Sequence, residues 1–162
     1  MKTIFRTLFF CLCLIQIALA QNIPFNPNAL VILDGVPYHQ DVSKINPNDI
    51  EDVYVLKAEK AVELYGSAGK NGAILILTKQ CMIATVKKRL SMFSKEYKEY
   101  IESNSDDNIT YTLDGGILKR NSLGVAIILF KIPPEQIKEV RFTQEKNSSD
   151  STTVTVNIAT KK

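Results

Sequence analysis

Twice along the chain a short run of β-forming residues ends in Asp-Gly: Leu30–Leu33 runs into Asp34-Gly35, and Ile109–Leu113 into Asp114-Gly115. Asp-Gly between apolar segments is a strong hairpin signal, because Gly accepts the positive φ of a tight turn. The segments after the two turns repeat as well. Ile45, Pro47, Ile50 and Val53 have the same internal spacing as Ile132, Pro134, Ile137 and Val140, and Ile74–Lys79 is echoed by Val154–Ile158 with Thr160-Lys161. The pattern predicts an α+β protein of two small units of short strands and short helices, the second a degenerate version of the first. Coincidence between two ordinary α+β segments is the plainer alternative.

The first unit is the fuller one. Asn46 is a good N-cap, Pro47 suits the first helical position, and Asp49 and Glu51 place negative charge in the first turn. Ile45, Ile50 and Val53 are expected to face one core, with a strand over Val53–Leu56. Lys57–Leu64 holds mostly helix formers, its apolar residues Ala58, Ala61, Val62 and Tyr65 fall at helical spacing, and Gly66 stands where a left-handed C-terminal residue is expected. A loop with Gly69 and Gly72 comes next, then a buried strand over Ala73–Leu77.

The order LDGV, INPNDIEDVYVLK, a short Ala-containing helix ending in LYG, and GxxGxxGAILILTK resembles the plug domain of TonB-dependent outer-membrane receptors, most closely the SusC-type receptors of Bacteroidetes. The residues that carry it are Asp34, Gly35, Asn46, Pro47, Asp49, Ile50, Tyr65, Gly66, Gly69 and Gly72, and it covers Leu30–Lys79. Ala68 and Lys70 depart from it, standing where Arg and Ala are common. The resemblance implies the plug's fold, a Gram-negative host and partners in the envelope, namely an outer-membrane receptor or a TonB-system component. A transporter barrel of about 22 strands needs hundreds of residues, more than come after Lys79, so the expectation is a plug fold without its barrel.

Residues 1–20 read as a signal peptide. Lys2 and Arg6 precede a mostly apolar Leu8–Leu19, and Ala18-Leu19-Ala20 is an A-x-A site with cleavage expected after Ala20, so the product is periplasmic or secreted. A lipoprotein signal at Cys11 or Cys13 is disfavoured, because no small residues precede either Cys. Removing the signal leaves 18 basic against 17 acidic residues, a balance that argues against nucleic-acid binding. No other stretch is apolar and long enough to span a bilayer. Cys81 alone then remains of the three cysteines, so an intramolecular disulfide is excluded. It reads as a buried thiol, with an intermolecular bond as the rival. Gln21–Asn28 reads as an extended lead-in without a convincing TonB-contacting motif.

Between the two units, Ile83–Ser103 carries Val86, Leu90, Phe93, Tyr97 and Ile101 at helical spacing and is expected to form one amphipathic connecting helix. A membrane-surface helix is the rival, disfavoured by Glu96, Glu99 and Glu102. The expected domain limits are therefore 1–20, 21–80, 81–105 and 106–162. Ser122–Phe130 is a short apolar run that periodicity cannot assign to strand or helix, and Glu145–Ser151 reads as a loop.

No residue set names a reaction. Gly66–Gly72 does not fit a P-loop and precedes a strand rather than a helix. Asp34 and Asp114 are explained by their turns. His39 is the only histidine, Asn46–Asp52 lacks the EF-hand pattern, and there is no Trp. Asn108-Ile109-Thr110 and Asn147-Ser148-Ser149 match sequons and read as polar loops. No catalytic residue, metal or cofactor is expected. Two classes of function remain: a protein-binding module, signalled by an exposed apolar patch or sheet edge, and a small-ligand-binding or enzymatic protein that reuses the scaffold, signalled by a concave pocket with convergent polar groups.

Overall fold

The computed structural model describes residues 26–118, 121–146 and 152–161, so the signal-peptide reading, the start of the lead-in and the Asn147 sequon lie outside the described residues. The fold is α+β. Eight strands form two four-stranded sheets: β1 (Leu30–Leu33), β2 (Val36–Pro37), β3 (Ile50–Leu56) and β4 (Ala73–Thr78) in the order β2-β1-β4-β3, and β5 (Ile109–Leu113), β6 (Gly116–Ile117), β7 (Ile137–Lys146) and β8 (Thr152–Thr160) in the order β6-β5-β8-β7. Adding four to each strand number turns the first order into the second. The helices are α1 (Ala58–Tyr65), α2 (Lys79–Ser91), α3 (Lys95–Ser103) and α4 (Ser122–Phe130). The chain divides into two compact units. One holds the described residues up to Val31 together with Val55–Ile74; the other holds Ile32–Tyr54 and everything from Leu75 on.

In the smaller unit, α1 packs back on the turn after it. Gly69 is buried against the Ala61 carbonyl, and a Cβ there would stand 2.3 Å from that oxygen. Gly72 has φ +85°, and a Cβ would come 2.8 Å from the Leu56 carbonyl. Both positions require glycine, for close approach in one case and for a left-handed backbone as well in the other.

The larger unit contains both Asp-Gly turns, and their geometry is the same. Asp34 and Asp114 take φ values of 52° and 48°, each followed by Gly at φ 84°. The Asp34 N–H donates to the Ile76 carbonyl and the Asp114 N–H to the Ile158 carbonyl, both at 2.9 Å. Each carboxylate then reaches across the turn. Asp34 accepts from the backbone N–H and the hydroxyl of Thr78, and Asp114 from those of Thr160, all at 2.8 Å. The turn residue thus clamps the end of the strand that lies beside its own.

In β8, Val154, Val156 and Ile158 alternate into the core, as period-two patterning requires. β8 pairs in parallel with β5 and antiparallel with β7, the latter with a register irregularity between Ile137 and Glu139. Val156 and Ile158 meet Met82, Val86, Leu90 and Tyr97 from α2 and α3, and Val125, Ala126 and Leu129 from α4.

Three expectations are corrected. The helix expected over Ile83–Ser103 is two helices, because Phe93 and Ser94 both donate to the Leu90 carbonyl and close a corner, after which the Ser94 hydroxyl caps α3 by accepting from the Tyr97 N–H. Val53 does not join a core, because β3 is the outer strand of its sheet, starts at Ile50 and leaves Val53 about half exposed. Glu145 and Lys146 belong to β7 rather than to a loop. The undecided run Ser122–Phe130 is a helix, capped by Asn121 accepting from the Gly124 N–H.

Asp34→Ala is expected to lower stability by about 2 kcal/mol, since it removes two charge-assisted bonds and leaves a non-glycine residue at positive φ. Asp34→Asn keeps an acceptor and tolerates the turn, so its thermal midpoint should lie between those of Asp34→Ala and the natural chain.

Candidate functional site

The residues singled out from the sequence are distributed over both units and act on the backbone. In the larger unit the Asn46 side chain accepts from the Asn48 N–H at 3.0 Å and Pro47 opens the short 3-10 turn Pro47–Asp49, which delivers Ile50 into β3. The Lys79 ammonium donates to the Asn48 carbonyl at 2.5 Å. In the smaller unit, Tyr65 ends α1 and Gly66 at φ 61° turns the chain out of it. No two of these side chains converge on a common point for chemistry. The carboxylates of Asp34 and Asp114 are occupied in their clamps.

The titratable groups of the core serve packing. The Tyr97 and Tyr111 hydroxyls bond one another at 3.1 Å with the rings edge to face. Burial pushes the Tyr97 phenol up to about 12 and Tyr111 further in the same direction. Cys81 is half-buried, and burial raises its thiol above the ordinary value, the opposite of what a reactive cysteine needs. Its Sγ lies 3.9 Å from the Thr85 hydroxyl. His39 is exposed, and among the described residues no group of three or more His, Cys, Asp or Glu could hold a metal ion. No helix among the described residues is long and apolar enough to cross a membrane.

The feature that remains is the outer edge of β3. Natural sheets protect edge strands with charge or by covering them. The equivalent strand of the second sheet, β7, does so: Lys138, Glu139, Arg141, Glu145 and Lys146 are exposed along it, and the Arg141 guanidinium pairs with Glu139 at 2.9 Å. On β3, by contrast, Val53 and Tyr54 are 48% and 50% exposed. Successive residues point to opposite faces, so neither face of the strand is fully covered here. The Val53 N–H donates to Asp52 Oδ1 at 2.8 Å, so a side chain holds this donor rather than a neighbouring strand. The same carboxylate lies beside the Tyr54 phenol and raises it above its ordinary range. Sequence reasoning assigns Val53 to a core because apolar residues look the same at an edge as in the middle of a sheet.

Two concave regions lie elsewhere. In the smaller unit a groove of about 470 Å³ is lined by Val55, Leu56, Ala58 and Ile74, with Lys57 and Asn71 among its polar neighbours. In the larger unit a polar depression of about 250 Å³ lies over Thr112, Asn157, Glu139 and Arg141, where the Thr112 hydroxyl donates to Asn157 Oδ1 at 2.8 Å.

Comparison with known proteins places the first part of the chain. Residues 21–73 match the TonB-dependent Receptor Plug Domain family. The chain is similar to the TonB-dependent receptor P39 of Formosa agariphila, 43% identical over 51 residues, which is 32% of this chain and 5% of that receptor. It is also similar to the TonB-dependent receptor SusC of Bacteroides thetaiotaomicron, 33% identical over 95 residues, which is 51% of this chain and 9% of that one. The chain thus spans less than a tenth of these curated relatives. No solved structure matches it. Residues 21–73 carry a plug domain of the TonB-dependent receptor type.

A raised phenol favours the folded state only while it stays protonated. Tyr97 holds its proton to about pH 12 when folded and loses it near pH 10 when unfolded. Between those values the unfolded chain binds fewer protons, so stability falls as pH rises. The denaturant midpoint is expected to be flat in this respect below about pH 9 and to drop above about pH 10, with tyrosinate absorbance from the pair appearing only as the chain unfolds.

Proposed function

We propose that this chain is an exported, non-catalytic plug-like module that binds another protein of the cell envelope, an outer-membrane receptor or a TonB-system component. On this reading residues 1–20 are a signal peptide cleaved after Ala20, residues 21–80 are the plug-like unit, 81–105 the connection, and 106–162 a second plug-like unit in the periplasm or beyond. The observation that carries the reading is the open β3 edge with Val53 and Tyr54 on it, set against the charged β7 edge. Where its main chain is not already held by Asp52, the edge offers bonds to an extended partner segment, and its side chains add apolar contact. The relatives are TonB-dependent receptors by name, which supports a partner from the system that serves them. The transport activity of whole receptors is not part of the proposal.

A second reading has one observation in its favour. The groove of about 470 Å³ in the smaller unit falls within the size range of ligand pockets, and its lining is mostly apolar. It lacks a set of polar groups aimed at one point, which ranks small-ligand binding or chemistry second.

The test is a crosslinked pull-down of the tagged chain from native envelopes, compared with Val53→Lys. Lysine on an edge strand blocks pairing, and the side chain it replaces is half exposed, so the fold should survive. The natural chain should enrich a receptor or TonB-system protein, and the variant about tenfold less, at an unchanged thermal midpoint. Equal capture by both chains removes β3 as the contact. A thermal shift with a small molecule and no enriched envelope protein replaces the reading with the second one.

A further inference from the structure

The groove of the smaller unit starts where the described chain starts. Asn26 and Ala29 line it together with Val55, Leu56, Ala58 and Ile74. The turn that leads into it is set by local chemistry. Asn26 and Pro27 suit the first two positions of a type I turn. The Ala29 N–H closes that turn on the Asn26 carbonyl at 2.9 Å, and the Asn26 side chain accepts from the Asn28 N–H at 3.0 Å. The turn is in turn tied to the groove wall. The Leu30 N–H donates to the Gly72 carbonyl at 3.0 Å, and the Asn71 side-chain amide to the Asn28 carbonyl at 3.3 Å. The chain therefore meets the groove at a fixed point on its rim.

Ile23, Pro24 and Phe25 come directly before Asn26. Successive Cα atoms across a trans peptide are about 3.8 Å apart, so covalent geometry alone keeps Phe25 beside the rim. Three residues span about 11 Å at most, so Ile23 stays within reach of the groove as well. The chemistry of segment and groove agrees. Gln21–Phe25 carries no charge, and Ile23 and Phe25 are large apolar side chains. The groove wall is mostly apolar, and Val55 on it is 52% exposed. Pro24 has a fixed φ and restricts the residue before it, so ordering this segment costs less conformational entropy than ordering a flexible one.

We propose that Ile23–Phe25 fold back into this groove and cover Val55, so that the chain's own lead-in is the groove's occupant. A segment on a short tether competes at an effective concentration of about 1 mM or more, and this tether is one peptide bond long. A free small molecule or a second copy has to match that level to displace it. The groove has no set of polar groups aimed at one point, which suits an apolar stretch of chain better than a small ligand that must be oriented. Neither Val53 nor Tyr54 lines the groove, so failure here leaves the protein-contact reading standing, and the reverse also holds.

The chain has no Trp, so Phe25→Trp gives a single fluorescent reporter in the segment. In the folded chain recovered from a periplasmic extract, its emission is expected to be blue-shifted, and its quenching by iodide reduced, relative to the same chain in urea. Neither effect should depend on protein concentration. Two groove variants then separate docking from burial elsewhere. Val55→Asp puts a charge into the groove at a half-exposed position, and Ala58→Asp puts one into the first turn of α1, where the helix dipole favours it. In whichever of these keeps its cooperative thermal transition, the emission should move to that of the unfolded chain. In the otherwise natural chain, Phe25→Asp should open the groove and raise binding of the apolar dye anilinonaphthalene sulfonate. A reporter as open to iodide in the folded chain as in the unfolded one, a blue shift that survives both groove variants, or one that grows with protein concentration overturns the proposal.

Discussion

The Asp clamp is the interaction on which both sheets depend. A left-handed Asp-Gly turn reverses the chain after the first strand of each sheet, and the same carboxylate fastens the end of the strand beside it through a backbone amide and a threonine hydroxyl. The partners are 44 residues apart in one case and 46 in the other. A single side chain therefore links a local turn to a distant strand. In each case that strand lies between the first and third strands of its sheet, so fixing its end sets where the remaining strand can add.

Much of this is legible because it is written in local chemistry. Asp34-Gly35 and Asp114-Gly115 announce their turns, and Asn46-Pro47 announces a capped start, since each signal acts within a few residues. The clamp itself is not legible. Thr78 and Thr160 are ordinary strand-end residues until folding places them beside a carboxylate. The break in the connecting helix is hidden for a related reason. Leu90, Phe93 and Tyr97 keep helical spacing through the corner, so an unbroken helix and a broken one give the same pattern. Ser94 followed by Lys95-Glu96 is the available start signal. Ser122–Phe130 is undecidable by pattern because it is largely apolar; its helical state rests on the Asn121 cap and on burial at Val125, Ala126 and Leu129.

The candidate surfaces are less legible than the fold. Whether Val53 and Tyr54 lie inside a sheet or along its rim is a fact about which strands become neighbours, and no window of sequence contains it. The contrast with β7 gives the edge its meaning. Two sheets with one strand order end in strands of different character, one with charge along its whole length and the other with Glu51 and Asp52 at its start and exposed Val53, Tyr54 and Val55 after them. The acids, phenols and thiol that invite attention as chemistry are occupied in turns, in a tyrosine pair or behind apolar packing.

The two sheets differ most in how their third and fourth strands are joined. Between β3 and β4 the chain makes α1 and a glycine-rich turn, whereas only residues 147–151 separate β7 from β8. Loop closure costs entropy that rises with length, and contacts near in sequence form before distant ones. The β7–β8 pair, nine residues long on its shorter side, thus closes its contacts over a short stretch of chain, while its inner face is covered only when α2, α3 and α4 pack on it. The first sheet has no such hairpin to start from beyond the two-residue β2. The connections therefore give the two sheets unequal closure costs: the more degenerate copy is the one whose longest strand pairing is local in sequence.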